Sequence, residues 1–204
     1  MTSISKLSFI LAVCMIPYTP RFASAQTPPV SPLDYTRTVL EQARSIAGGN
    51  QTQDEKTAAL SVVFGQFLDT DAMAREALGQ HWSGFTPTQQ QKFLPLFHTL
   101  IEHAYVQDLL LFQAPDFVYV GQQLITGGAV VNTQIVTPKD KFDIKYMLAP
   151  AAEKWRATGI TVEGISLVAN YSNQFDRVLS RMSVDDLIAL MQRKFGNPNG
   201  GAAA

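Results

Sequence analysis

The sequence predicts an α+β fold in which helices at both ends of the chain pack on one antiparallel sheet. Apolar residues recur about every 3.6 positions from Val39 to Tyr105 and again from Val168 to Met191. Between Phe117 and Glu163 the period drops to about 2, the mark of strands with one buried face. The links between those runs are short and turn-like, at Gly127-Gly128, Pro138-Lys139-Asp140 and Ala149-Pro150. Connections that short suit a meander of about four antiparallel strands and leave no room for parallel crossovers.

The chain opens with a leader. One early positive charge, Lys6, precedes the apolar run Leu7 to Ile16, and Ala23-Ser24-Ala25 has the small-x-small spacing that signal peptidase cleaves. The run is far shorter than the roughly 20 residues a membrane-spanning helix needs. Residues 1–25 are therefore expected to be a signal peptide cleaved after Ala25, with export from the cytoplasm as the consequence. Cys14 lies within that leader and is the only cysteine of the 204 residues, so the mature chain has no disulfide or thiolate metal site to staple it. Its core has to suffice, and residues 26–195 are long enough for one compact domain to supply it. Formal net charge is -1, and removing Lys6 and Arg21 with the leader makes the balance more acidic, which argues against nucleic acid as a partner.

In the mature chain, Ser31 with Pro32 behind it and Asp34 three residues on predicts a helix start, with Gly48-Gly49 as its end. Thr52 and Glu55 form a capping box, and Leu60, Val63, Phe64 and Phe67 give the next helix one apolar face. A short helix over Asp71 to Leu78 is closed by Gly79. Thr86-Pro87-Thr88-Gln89 opens a longer one carrying Phe93, Phe97, Leu100, Ile101, Ala104 and Tyr105, with Pro95 expected to kink it. Strands follow over Phe117–Val120, Ala129–Val136, Phe142–Leu148 and Trp155–Glu163. In the third, Phe142, Ile144, Tyr146 and Leu148 alternate with Asp143, Lys145 and Met147, which gives one greasy face. A helix from about Ser166 carries Val168, Tyr171, Phe175, Val178 and Met182. The last starts at Ser183 with Asp186 three on, buries Val184, Leu187, Ile188 and Met191, and stops at Gly196 and Pro198. The Gly-, Asn- and Ala-rich residues 196–204 read as a disordered tail.

Catalytic and metal signals are weak. His98 and Glu102 are four apart on one helix, but His103 falls on another face and no third ligand accompanies them. The serines lack a G-x-S-x-G elbow, and Asp69, Asp71, Asp185 and Asp186 sit where helix termini favour carboxylates. No metal and no cofactor are expected. Asp143 and His98 are the residues that an enzyme on this fold would use.

Two blocks carry a resemblance to a known family. The first is Trp155, then Ile160-Thr161-Val162-Glu163-Gly164-Ile165-Ser166-Leu167, Asn170-Tyr171 and Gln174-Phe175, followed by a helix with Leu187-Ile188. The second is Asp71-Ala72-Met73-Ala74-Arg75 and Leu78-Gly79-Gln80-His81-Trp82, then Phe93 and Phe97. From about residue 33 to 195 the chain resembles the MlaC family of periplasmic lipid-shuttle proteins, also called toluene-tolerance auxiliary proteins. It departs from the family at Gly159, usually acidic or amide there, and at Ser172, usually basic.

The resemblance implies a fold similar to nuclear transport factor two, a curved sheet with helices packed on it around an apolar cavity. It implies a non-enzymatic periplasmic shuttle whose cargo is phospholipid, or hopanoid in a related branch. The partners implied are an inner-membrane ABC lipid-transport complex and an outer-membrane lipoprotein complex, which together maintain outer-membrane lipid asymmetry. An enzyme or a solid-cored adaptor on the same fold are the competing readings. Strand alternation and helical spacing then nominate the lipid-binding side chains: Phe97, Ile101 and Tyr105 from the long helix, and Val131, Ile135, Ile144, Tyr146, Trp155 and Val162 from the sheet, with Tyr171 near the mouth.

Overall fold

The computed structural model describes residues 30–111 and 115–196. The expected leader, and the expected tail apart from Gly196, lie outside them.

Local capping chemistry accounts for where the helices begin. Helix α1 (Pro32–Ala47) starts behind Ser31, whose hydroxyl accepts from the Asp34 amide, and ends at Gly48. Helix α2 (Gln53–Phe67) has the full Thr52–Glu55 capping box. Helix α3 (Thr70–Leu78) is capped by the Asp69 carboxylate and closed by Gly79, whose φ of 49° is in the left-handed region. A 3-10 turn over Gly79–Gly84, unforeseen in the sequence, leads into helix α4 (Pro87–Leu111), where Thr86 and Gln89 exchange capping bonds and the helix runs on through Pro95. Helix α5 (Leu167–Leu179) starts behind Ser166, and helix α6 (Val184–Phe195) behind a Ser183–Asp186 capping box.

In the boxes, the Glu55 carboxyl is held below its usual range chiefly by the Thr52 backbone amide, and Asp186 chiefly by the Ser183 hydroxyl. A folded pKa lowered in this way stabilises the protein above the carboxyl's ordinary pKa, and that contribution fades as pH falls through the lower folded value. Thr52→Ala and Ser183→Ala are each expected to lower Tm by about 2–4 °C near neutral pH and by less near pH 3. Thermal melts across that range check this.

The sheet is a meander of five antiparallel strands in order β1-β2-β3-β4-β5: β1 (Asp116–Ile125), β2 (Gly128–Val136), β3 (Lys141–Ala151), β4 (Lys154–Val162) and β5 (Ile165–Ser166). It has one strand more than expected, the last only two residues long. The turns are tight. At β1–β2, Gly127 has φ 77°, and a Cβ on Gly128 would meet the Leu148 carbonyl oxygen at 2.2 Å, so a side chain cannot fit where β2 passes β3. At β4–β5, Glu163 and Gly164 both have positive φ, 48° and 78°, the requirement of a type I′ hairpin. The Glu163 amide donates to the Asp143 carbonyl at 2.9 Å, and its carboxylate accepts from the Asp143 amide, so β3 holds the turn. The run Ile160 to Leu167 is thus a strand end, a tight reversal and a helix cap, in that order.

Bulges at Val120 in β1 and Thr158 in β4 each insert one residue into the ladder. The second decides side-chain direction. Trp155 and Ala157 precede it, Ile160 and Val162 follow it, and the extra residue brings odd- and even-numbered side chains to one face.

The helices pack on that face. Helix α1 runs along β1: the Leu33 amide donates to Gln122 Oε1 at 2.6 Å, Arg37 sits 4.5 Å over the Tyr119 ring, Tyr119 donates to Glu41 at 2.9 Å, and Arg44 pairs with Asp116. The α2–α3 link is tied to β4, since the Asp69 amide donates to the Ala157 carbonyl at 2.8 Å. Arg156 donates to the carbonyls of Gly65 and Leu68, placing a cation at the end of α2, whose last turn has none of its own. Trp155, 2% exposed, donates its indole N–H to the Val30 carbonyl at 2.8 Å and so anchors the start of α1 on the sheet.

Candidate ligand cavity

Between the sheet and α1, α2 and α4 lies a cavity of about 200 Å³. The strand pairing sorts the sheet side of its wall into rows. Phe117, Ile135 and Phe142 form the first, Ile144 and Val162 belong to the second, and Tyr146 and Ile160 to the third. A fourth row, Ala129, Leu148 and Ala157, lies beyond the wall and is packed solid. Opposite the sheet stand Leu40 of α1, Phe64 and Phe67 of α2 with Leu68 after it, and Tyr105 and Leu109 of α4.

Exposure falls with depth. Phe117, Ile135, Phe142 and Val162 are half-buried, whereas Ile144, Tyr146, Ile160 and Phe67 are buried. The cavity therefore opens at the first row and ends blind at the third. Among the described residues its wall carries no charged side chain, and the polar groups on it are the phenols of Tyr105 and Tyr146. Burial raises the Tyr146 pKa well above the usual phenol range, with the Thr133 hydroxyl opposing in part, so this phenol stays neutral. An apolar hollow of this kind favours an apolar guest, because a polar one would lose its water without replacement bonds.

Of the nominated side chains, the fold brings Tyr105, Ile135, Ile144, Tyr146 and Val162 to the wall. Phe97 and Tyr171 instead meet each other at 5.8 Å in an aromatic cluster with Phe93 and Phe175, between α4 and α5. Ile101 and Val131 are fully buried core residues, and Trp155 is the anchor described above. The nomination omitted Leu40, Phe64, Phe67, Leu68, Leu109, Phe117, Phe142 and Ile160. Phe142 alternates with Ile144 and Tyr146, and Phe64 and Phe67 share a helical face, so those three carried a readable signal.

The ionisable residues that an enzyme would use stand elsewhere. Asp143 is on the outer face of the sheet, where it accepts from Gln134 at 2.8 Å. His98 lies 3.1 Å from the Thr70 hydroxyl and 3.4 Å from Glu102, which also accepts from Ser61, in a seam of α2, α3 and α4 outside the cavity wall. His81 pairs with Asp176 at 2.8 Å. Among the described residues no group of three or more His, Cys, Asp or Glu could hold a metal ion, and no helix is long and apolar enough to cross a membrane. Gly159, next to the Thr158 bulge, lies against Met147 on the outer side of the sheet rather than at the cavity.

An open antiparallel sheet roofed by helices over a one-ended apolar cavity defines an α+β protein built around a hollow. The chain belongs to the MlaC family, whose profile, described as MlaC protein, matches residues 34–193. Among solved structures it is similar to a phospholipid-binding protein from Ralstonia solanacearum, determined at 1.53 Å in complex with a phospholipid. The two chains are 19% identical and superpose with a TM-score of 0.72 over 80% of this chain and 96% of that one.

Proposed function

We propose that this protein is a non-enzymatic periplasmic carrier that takes the acyl chains of a phospholipid into the cavity and shuttles the lipid between complexes in the inner and outer membranes. The observation that carries the reading is the cavity itself, apolar, open at one end and, among the described residues, without a charged side chain. Membership of the MlaC family supports it, as does the phospholipid held by the Ralstonia protein. Burying one methylene is worth about 0.8 kcal/mol, so a lipid with roughly thirty of them resists crossing water by on the order of 20 kcal/mol. A carrier removes most of that barrier by sheltering the chains while leaving the headgroup at the half-buried first row, in contact with water.

The leader read from residues 1–25 supports a periplasmic location. Direction of transfer is assigned to the partners, an ATP-driven complex in the inner membrane and a lipoprotein complex in the outer, because the carrier holds no energy source of its own. Phe64, Phe67, Tyr105, Ile144, Tyr146 and Val162 are the proposed chain-contacting residues.

Protein purified from the periplasm of its own host is expected to bring phospholipid with it, detected by native mass spectrometry as a mass increment that disappears on organic extraction. Repeated recovery of lipid-free protein that also fails to extract phospholipid from vesicles would overturn the carrier reading.

A further inference from the structure

We propose that Phe67, seated against Tyr146, is the floor that sets how long an acyl chain the cavity shelters; this rests on the carrier reading above. The wall includes Tyr146 and Ile160 of the third row but none of the fourth. What closes it there is Phe67, 1% exposed, with its ring centroid 5.6 Å from that of Tyr146 in an edge-on contact and 6.3 Å from that of Tyr35 on α1. Three elements, α1, α2 and β3, therefore meet in one aromatic plug. Leu68, the next residue, is fixed to β4 by a bridge to Ala157, which holds Phe67 in place from behind.

Depth follows from the strand rise. Phe142 and Tyr146 are four residues apart on β3, so the floor lies about 14 Å below the first row. An extended alkyl chain advances about 1.25 Å per carbon, from the tetrahedral C–C bond length and angle, which allows about eleven carbons below that row. Further methylenes stay above it at the mouth, and each one left in water weakens capture about fourfold. Removing the Phe67 ring opens about 5 Å more, room for about four carbons.

The test uses the full mature chain, delipidated and offered vesicles containing an equimolar series of phosphatidylethanolamines with paired saturated chains of roughly ten to eighteen carbons. Native mass spectrometry reads which members are captured. The wild type should show capture declining above a cut-off length, and Phe67→Ala should move that cut-off up by about four carbons. Phe67→Leu, a milder change that keeps the core filled, should move it by one or two. Phe93→Leu, in the aromatic cluster away from the cavity, controls for general loosening and should leave the profile in place. If wild type captures lipid but both Phe67 variants keep its length profile, the floor assignment is overturned and the carrier reading stands. If wild type captures none of the series, both fall together.

Discussion

Val162→Glu should empty the carrier of lipid while leaving it folded. Val162 is half-buried in the second row, beside Ile144, and in the proposed carrier it lies on an acyl chain's path from the mouth to the floor. A carboxylate there either blocks the passage in its charged form or gives up its water to let the chain by, a cost of about 3 kcal/mol or more. Affinity for phospholipid should drop at least about a hundredfold. Because Val162 is half-buried rather than sealed in the core, the loss of folding stability should be limited to about 1–2 kcal/mol. Extraction of a fluorescent phospholipid from vesicles, read beside a thermal melt, separates the two effects. Wild-type extraction by this variant would place the chain somewhere other than against β4.

For Trp155→Ala the roles are reversed: stability should collapse and the binding site should not be touched directly. Among the described residues Trp155 is the largest fully buried side chain, and its indole N–H is the donor that holds Val30 at the head of α1. Truncating a buried aromatic costs about 3–5 kcal/mol, a large share of the roughly 5–15 kcal/mol that holds a domain together. Tm should fall by about 6–20 °C. Trp155→Phe restores the packing without the hydrogen bond and should recover most of that loss. At temperatures where it is folded, Trp155→Phe should extract lipid as the wild type does, since Trp155 is absent from the cavity wall. A selective loss of extraction in the Phe variant, with stability retained, would return Trp155 to the site.

The contrast between these residues shows how the nomination from sequence divided. Alternation in β3 correctly joined Ile144 to Tyr146, because a strand's side chains change face at every residue and nothing interrupts β3 between them. In β4 the same rule cannot join Trp155 to Val162, which differ in parity; only the bulge at Thr158 does so, and no local signal marks that residue as the extra one. Even then a shared face is not a shared site. Val131 stands in the same row as Tyr146 and Ile160, yet it is sealed in the core at 0% exposure.

The helical side of the cavity was less legible. Helical spacing shows that Phe67 and Phe97 each face inward, and both are buried, but inward for Phe67 means the hollow and for Phe97 means an aromatic cluster with Phe93, Tyr171 and Phe175. The two environments present the same pattern to a reader of sequence, since burial removes apolar side chains from water equally in either.

By itself the sequence determined most of what is set within a few residues. The Ser31, Thr52, Asp69, Thr86, Ser166 and Ser183 caps, the glycine turns and the change of period that separates helices from sheet all arise from bonds and sterics between near neighbours. Tertiary structure alone decided that the space between α1, α2, α4 and the sheet is left partly empty, that it ends at Phe67 and Tyr146, and which aromatic residues border it. The reason is that a void is the difference between the volume that distant elements enclose and the volume their side chains fill, and no stretch of neighbouring residues contains either quantity.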